Sequence, residues 1–153
     1  MRIGLTGANG MLGAALAKNL SIIHKLFETS RNQGVGGQNI EWDCFDLTDT
    51  KLLLKWLNKV KPDIVIHCAA IVNIDACEEY VDAAIAIHVE ATKVMVEYLN
   101  ANNGRLIYIS TDSVFDGEKD GAYDESDLVN PLNVYAETKL MGENLVQSMN
   151  LCN

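Results

Sequence analysis

Apolar positions in this chain fall into short continuous runs that alternate with stretches of helical period. Arg2–Thr6 reads as a short apolar strand. Met11–Leu20 reads as a helix, with Leu12, Leu16 and Leu20 at i, i+4 and i+8. Lys25–Ser30 and Asn39–Asp43 give two more strands. Asp49–Val60 predicts a helix with Leu52, Leu53, Trp56 and Val60 on its apolar face, Thr48 as N-cap and Pro62 as stop. Asp63–Cys68 (DIVIHC) is nearly all apolar, as expected of a strand covered on both faces. Tyr80–Asn102 predicts one long helix carrying Ala84, Ile87, Ala91, Met95 and Tyr98, ended by Asn103-Gly104. Arg105–Ser110 is a fifth strand, Asp112–Pro131 a loop, and Asn133–Met149 the last helix.

Strands alternating with helices predict an α/β fold around a parallel sheet. One connection is unusual. Arg31–Gln38 must join two neighbouring strands, yet it holds Gly34, Gly36 and Gly37 and no helical period, so a cramped, irregular crossover is expected. The length, 153 residues, suits one domain, and no linker or repeat divides it. Hydrophobic residues make up 48% and charged residues 22%, which excludes a disordered chain. No apolar run reaches the ~18 residues of a membrane span. The net charge of −9 argues against nucleic acid as a partner, because phosphate neutralisation needs a basic surface. Cys44, Cys68, Cys77 and Cys152 have no CxxC spacing, so buried free thiols in a reducing cytoplasm are expected and no metal site is assigned.

The strongest local signal is Gly4-Leu-Thr-Gly7-Ala-Asn-Gly10-Met-Leu-Gly13, between the first strand and the first helix. Glycines there permit a tight turn, close approach to a pyrophosphate and close helix–strand packing. The helix N-terminus offers free N–H groups to the phosphates. The second strand ends Thr29-Ser30-Arg31-Asn32 with no acid to bind a ribose 2′-hydroxyl, and Arg31 suits a 2′-phosphate. NADP(H) is therefore the expected cofactor, with NAD(H) the alternative. Tyr135 and Lys139 share a helix face, and an ammonium beside a phenol makes it a usable acid/base. Ser110-Thr111-Asp112 falls at the carboxyl end of the fifth strand, the edge where open α/β sheets bind ligands.

Together these pieces resemble the extended short-chain dehydrogenase/reductase superfamily, and within it the dTDP-4-dehydrorhamnose reductase group. The matching stretches are Gly7–Gly13, His67-Cys-Ala-Ala70, Ser110-Thr-Asp-Ser-Val-Phe-Asp-Gly117 and Asn130-Pro-Leu-Asn-Val-Tyr-Ala-Glu-Thr-Lys-Leu-Met-Gly-Glu143. The resemblance implies a Rossmann-like, doubly wound sheet of five strands in the order 3-2-1-4-5. It implies reduction of a nucleotide-linked 4-keto sugar. Thr111 would polarise the carbonyl, Tyr135 would donate the proton, and Lys139 would hold the nicotinamide ribose. Gly7, Asn9, Gly10, Met11, Gly13, Ser30, Arg31, Asp46, Leu47, Ala69, Ala70, Tyr135 and Lys139 would contact the cofactor.

Ser113 stands where related dehydratases carry a catalytic Glu, which favours reduction over dehydration. His88 replaces an Asn that links the lysine to solvent in the superfamily; proton relay and buried packing both remain open for it. Family members run to roughly twice this length, so residues 1–153 are expected to form an NAD(P)-binding domain without the C-terminal substrate region. A non-catalytic dinucleotide-binding or regulatory module and a nucleotide-sugar epimerase are the competing readings. An unpaired fifth strand would favour a homodimer or other self-association.

Overall fold

The structure is a computed structural model that describes residues 1–34 and 36–149. Five parallel strands, β1 (Arg2–Thr6), β2 (Lys25–Ser30), β3 (Ile40–Cys44), β4 (Ile64–His67) and β5 (Arg105–Tyr108), form one sheet in the order β3-β2-β1-β4-β5. The order is the expected one. The central strands are buried on both faces, which is why they read as unbroken apolar runs. Strands β4 and β5 end earlier than their apolar runs, because the chain leaves the ladder at Cys68 and Ile109 to build loops at the carboxyl edge.

Helix α1 (Met11–Leu20) covers one face over Ile3, Leu5, Leu26 and Ile66. Its closest residues are Gly13 and Ala17, while Leu12 is exposed and Leu16 and Leu20 pack only partly. The expected leucine stripe thus lies beside the real contact, where small residues let the helix sit close. The opposite face holds the larger core. There α2 (Thr50–Val60) contributes Leu53, Trp56, Leu57 and Val60 against Phe27, Val65, Met95 and Leu99. Leu57 takes the place expected for Leu52, which faces solvent. Each of these leucines contributes roughly 2 kcal/mol by leaving water.

The cap of α2 also differs from expectation. Asp49 accepts from the backbone N–H groups of Lys51 and Leu52, at 3.1 and 3.0 Å, while the Thr48 hydroxyl donates to Asp46. A carboxylate is the stronger acceptor and complements the helix dipole. Lys61 closes the helix in the left-handed region just before Pro62.

The expected single long helix is divided. After a short helix that was not expected, α3 (Ile74–Glu79), the Tyr80–Asn102 span comprises α4 (Val81–Ile85), a π-helical turn (Ala86–Glu90) and α5 (Ala91–Ala101). Tyr80 breaks the first two, and Asn73 caps α3 by accepting from Ala76 N–H. The wider π turn buries Ile87, His88 and Val89 in succession, which a regular helix would not do. Helix α6 (Val134–Gln147) packs beside α5 and over β5 on the same face. Asn133 caps it, and Glu78 from α3 accepts from Val134 N–H at 2.9 Å.

The crossover from β2 to β3 has no helix, as expected; Val35 within it lies outside the described residues. Cys77 is a buried free thiol, but Cys44 is exposed and Cys68 half-buried, contrary to the expectation of buried thiols. Both sit where strands open onto the carboxyl edge. Cys152 lies outside the described residues. The acidic stretch after β5 is largely exposed, and its side chains hydrogen-bond within the loop. Asp116 accepts from Tyr123 hydroxyl, Glu118 N–H and Asn130 amide, contacts that hold its carboxyl at about 2.

Asp49→Ala is expected to cost about 1 kcal/mol in urea denaturation, and Thr48→Ala less than half as much. Equal losses would return the cap to Thr48.

Candidate active site

The turn between β1 and α1 is built by close backbone contact. Gly7 has φ +66°, and a Cβ there would lie 2.6 Å from Ala69 N, at the end of β4. A Cβ on Gly13 would lie 2.3 Å from the Gly7 carbonyl oxygen. Only glycine satisfies both demands. Gly10 caps α1 without a side chain, leaving the first-turn N–H groups available to an anion.

This turn walls a groove of about 490 Å³ along the carboxyl edge of the sheet. Of the residues expected at a cofactor, Gly7, Asn9, Gly10, Ser30, Arg31, Asp46, Leu47, Ala69 and Ala70 line it. Met11 and Gly13 do not. Met11 is almost fully exposed at the helix start, and Gly13 is buried beneath the turn, so it shapes the groove from behind. Asn32, Phe45, Thr48, Cys68, Ile71, Ala83 and Ile87 line the groove without having been singled out. Cys68, expected to be a buried thiol, instead reaches the groove wall while packing partly against the smaller core. The Asn9 amide donates to Ser30 hydroxyl and Asn32 carbonyl, both at 2.9 Å, tying the glycine turn to the end of β2.

Thr111, Tyr135 and Lys139 lie beyond the groove wall. Thr111 caps a single 3-10 turn (Asp112–Val114), its hydroxyl accepting from Ser113 N–H at 3.1 Å. Tyr135 is half-buried in the first turn of α6. Lys139, one turn on, is 3% exposed. Its ammonium donates to the Ile109 carbonyl and lies 4.0 Å from the centre of the Tyr108 ring. Burial lowers its pKa to about 8, with Glu143 and then Cys68 opposing that shift. Ser110 was a candidate to bind substrate, yet its hydroxyl turns inward and donates to Glu143.

His88 joins the groove to Tyr135. Its Nε2 accepts from the backbone N–H of Ile71, a groove residue, at 3.1 Å. Its Nδ1 donates to Thr138 hydroxyl at 2.8 Å, and that hydroxyl donates to the carbonyls of Val134 and Tyr135. The ring meets Tyr135 edge-on, 5.8 Å between centres. Burial, and then the charge of Lys139, lower the His88 pKa to about 4. Both nitrogens are therefore committed in the neutral ring, and neither is bonded to Lys139. His88 is a packing and hydrogen-bonding residue in this arrangement. His67 lies deeper: its Nδ1 is 2.7 Å from Thr6 hydroxyl, which also accepts from Ala69 N–H, and burial holds its pKa at about 3.

A family model described as "RmlD substrate binding domain" matches residues 1–152. The chain belongs to the RmlD substrate binding domain family. A dTDP-4-dehydrorhamnose reductase of Aggregatibacter actinomycetemcomitans is 31% identical over 97% of this chain and 47% of its own length. The methionine adenosyltransferase 2 subunit beta of Bos taurus is 34% identical over 98% of this chain and 44% of its own length. A solved dTDP-4-dehydrorhamnose reductase from Bacillus anthracis, in complex with NADP, superposes with a TM-score of 0.78 at 28% identity, over 97% of this chain and 50% of that one. The chain spans about half the length of the curated relatives it matches. Reductases of sugar nucleotides thus stand among the RmlD-type relatives of this chain.

The His88 geometry sets a pH dependence. The unfolded imidazole takes up a proton near 6.5, and the folded one only near 4. The folded pKa is the lower, so this contribution is present above pH 6.5 and is lost as pH falls toward 4. Urea denaturation between pH 6.5 and 5 should show wild-type stability falling more steeply with acid than that of His88→Gln. Parallel profiles would contradict the assignment.

Proposed function

We propose that this chain binds NADP(H) and serves the reduction of a nucleotide-linked 4-keto sugar. The observation that carries the reading is the link through His88, which bonds the groove wall at Ile71 and packs on Tyr135. It brings the groove and Tyr135 within one side chain of each other. The complex of the Bacillus anthracis relative with NADP supports the choice of cofactor.

The groove residues fit a dinucleotide. The Gly7–Gly10 turn and the N–H groups that begin with Met11 would hold the pyrophosphate. Ser30 and Arg31 would hold the 2′-phosphate and Asp46 and Leu47 the adenine, with the small Ala69 and Ala70 leaving room over β4. The bound cofactor supplies the hydride that the carbonyl carbon accepts. Tyr135 gives its phenolic proton to the carbonyl oxygen, Thr111 hydroxyl donates a hydrogen bond to the same oxygen, and the Lys139 ammonium favours the phenolate that remains. Ser113 offers no carboxylate to remove water from a sugar, which favours simple reduction.

A second reading is a dinucleotide-binding regulatory module. It draws on the likeness to methionine adenosyltransferase 2 subunit beta and on the burial of Lys139 against Ile109. We also propose that β5, an edge strand with Ile107 exposed, pairs with a second copy.

Fluorescence titration should show NADPH bound more tightly than NADH, with Arg31→Ala erasing the difference; no binding of either would remove the basis of both readings. Tyr135→Phe should lower turnover of a 4-keto sugar nucleotide by about 100-fold or more while binding persists. Binding without wild-type turnover would favour the regulatory module. Light scattering at high concentration should give a mass above 16.8 kDa; a monomer would count against pairing along β5.

A further inference from the structure

Helix α6 touches the end of β5 through two side chains one turn apart. Lys139 donates to the carbonyl of Ile109, and Glu143 accepts from the hydroxyl of Ser110. These are consecutive residues, and Thr111 follows them. Residues four apart on a helix share a face, so Lys139 and Glu143 form one polar edge against the strand end. The two side chains make no direct ion pair; each is spent on its own partner in the strand.

We infer that Glu143 is the positioning residue of the Thr111, Tyr135 and Lys139 set: its carboxylate fastens Ser110, and with it Thr111, to α6, and its charge holds the Lys139 ammonium beside β5. This rests on the roles proposed above for those three residues.

The surroundings explain why a charge is needed there. The ammonium is buried, which disfavours its charged form. Tyr108 and Ile109 face it from β5. Cys68 and His67 adjoin it from the β4 side, His88 from the π turn and Glu143 from its own helix, where Tyr135 shares the same face one turn earlier. Tyr108 is pushed above its ordinary range by burial, and the two imidazoles stay neutral, so none of these supplies a counter-charge near neutral pH. Glu143 does, and the Ser110 hydroxyl fixes where it stands.

The test separates charge from contact. Glu143→Gln keeps an oxygen for Ser110 and removes the charge; Ser110→Ala keeps the charge and removes the contact. With protein labelled at lysine Nζ with 15N, the wild-type Lys139 resonance should titrate near pH 8. Glu143→Gln should lower that midpoint by about one pH unit. Ser110→Ala should leave the midpoint nearly unchanged but speed amide exchange at Thr111 and Ser113. An unmoved midpoint in Glu143→Gln overturns the electrostatic role, and unchanged exchange in Ser110→Ala overturns the fastening. Wild type alone also decides: the Nζ protons of Lys139 should exchange more slowly than those of the exposed lysines, and equal rates overturn the held placement even if a variant fails to fold. None of these measurements needs cofactor or substrate. Failure to bind NADPH with the coupling intact would therefore count against the proposed function only.

Discussion

Backbone meets backbone where the turn after β1 crosses the end of β4, and the rest of the site depends on that contact. Gly7 sits against Cys68 and Ala69, and Gly13 sits against Gly7. No side chain fits at either position, so α1 is drawn onto the sheet and its N-terminus points over the carboxyl edge. Ala8 N–H bonds back to Thr29, and Asn9 reaches Ser30 and Asn32, so the same turn also sets the end of β2. The groove is the space these constraints leave open. A methyl group on Gly7 would combine a left-handed φ with a clash against rigid backbone, and neither neighbour can move without opening the sheet.

The second half of the site is held by polar groups inside the larger core. Thr6 hydroxyl spans β1 and β4 by meeting both His67 and Ala69. His88 spans the loop after β4, the π turn and α6. Lys139 and Glu143 then join α6 to β5. A fully apolar core would pack in several registers with similar energy, whereas a buried polar group left without its partner costs about 1–3 kcal/mol. Satisfying these groups selects one placement of α6, and Tyr135 is placed with it. Two imidazoles remain neutral here chiefly because they are buried, and secondarily because charging either would add a cation near Lys139.

Element order, sheet order and most of the groove were legible in the residues, since they follow from local signals: apolar runs, the glycine spacing and the end of β2. What was not legible depended on pairs distant in sequence. The cap lies one position on, at Asp49, and the apolar face takes Leu57 in place of Leu52, because several residues offered the same signal and packing chose among them. The π turn could not be seen from periodicity, although three successive apolar-environment positions at Ile87, His88 and Val89 mark it in hindsight. Asn73 ahead of Asp75 was an available cap signal for α3 that went unused. The inward turn of Ser110 required knowing that Glu143, 33 residues later, faces it. Glu28 is a similar case: a charged residue on an apolar strand, buried to 2% exposure, with its pKa raised to about 7 by that burial.

The charge of the whole chain sharpens what the groove has to do. At −9, the chain would repel an anionic dinucleotide at long range, so the binding proposed above would depend on groups close to the phosphates. Three features of the groove act in that sense. The first-turn N–H groups of α1 are uncapped by any side chain. Arg31 is exposed at the groove with its guanidinium outside any ion pair among the described residues. Asp46, the one acid in the wall, has an oxygen turned to Thr48, whose N–H and hydroxyl both donate to it, at 2.9 and 2.8 Å. The acid is thereby tied to its own loop and contributes shape at the groove while its charge is partly compensated. Salt screens the long-range repulsion within about 10 Å but leaves contacts at the turn nearly untouched. Raising ionic strength should therefore weaken binding of a phosphate-bearing ligand less than it would for a basic protein of the same size, because here screening removes a repulsion as well as an attraction.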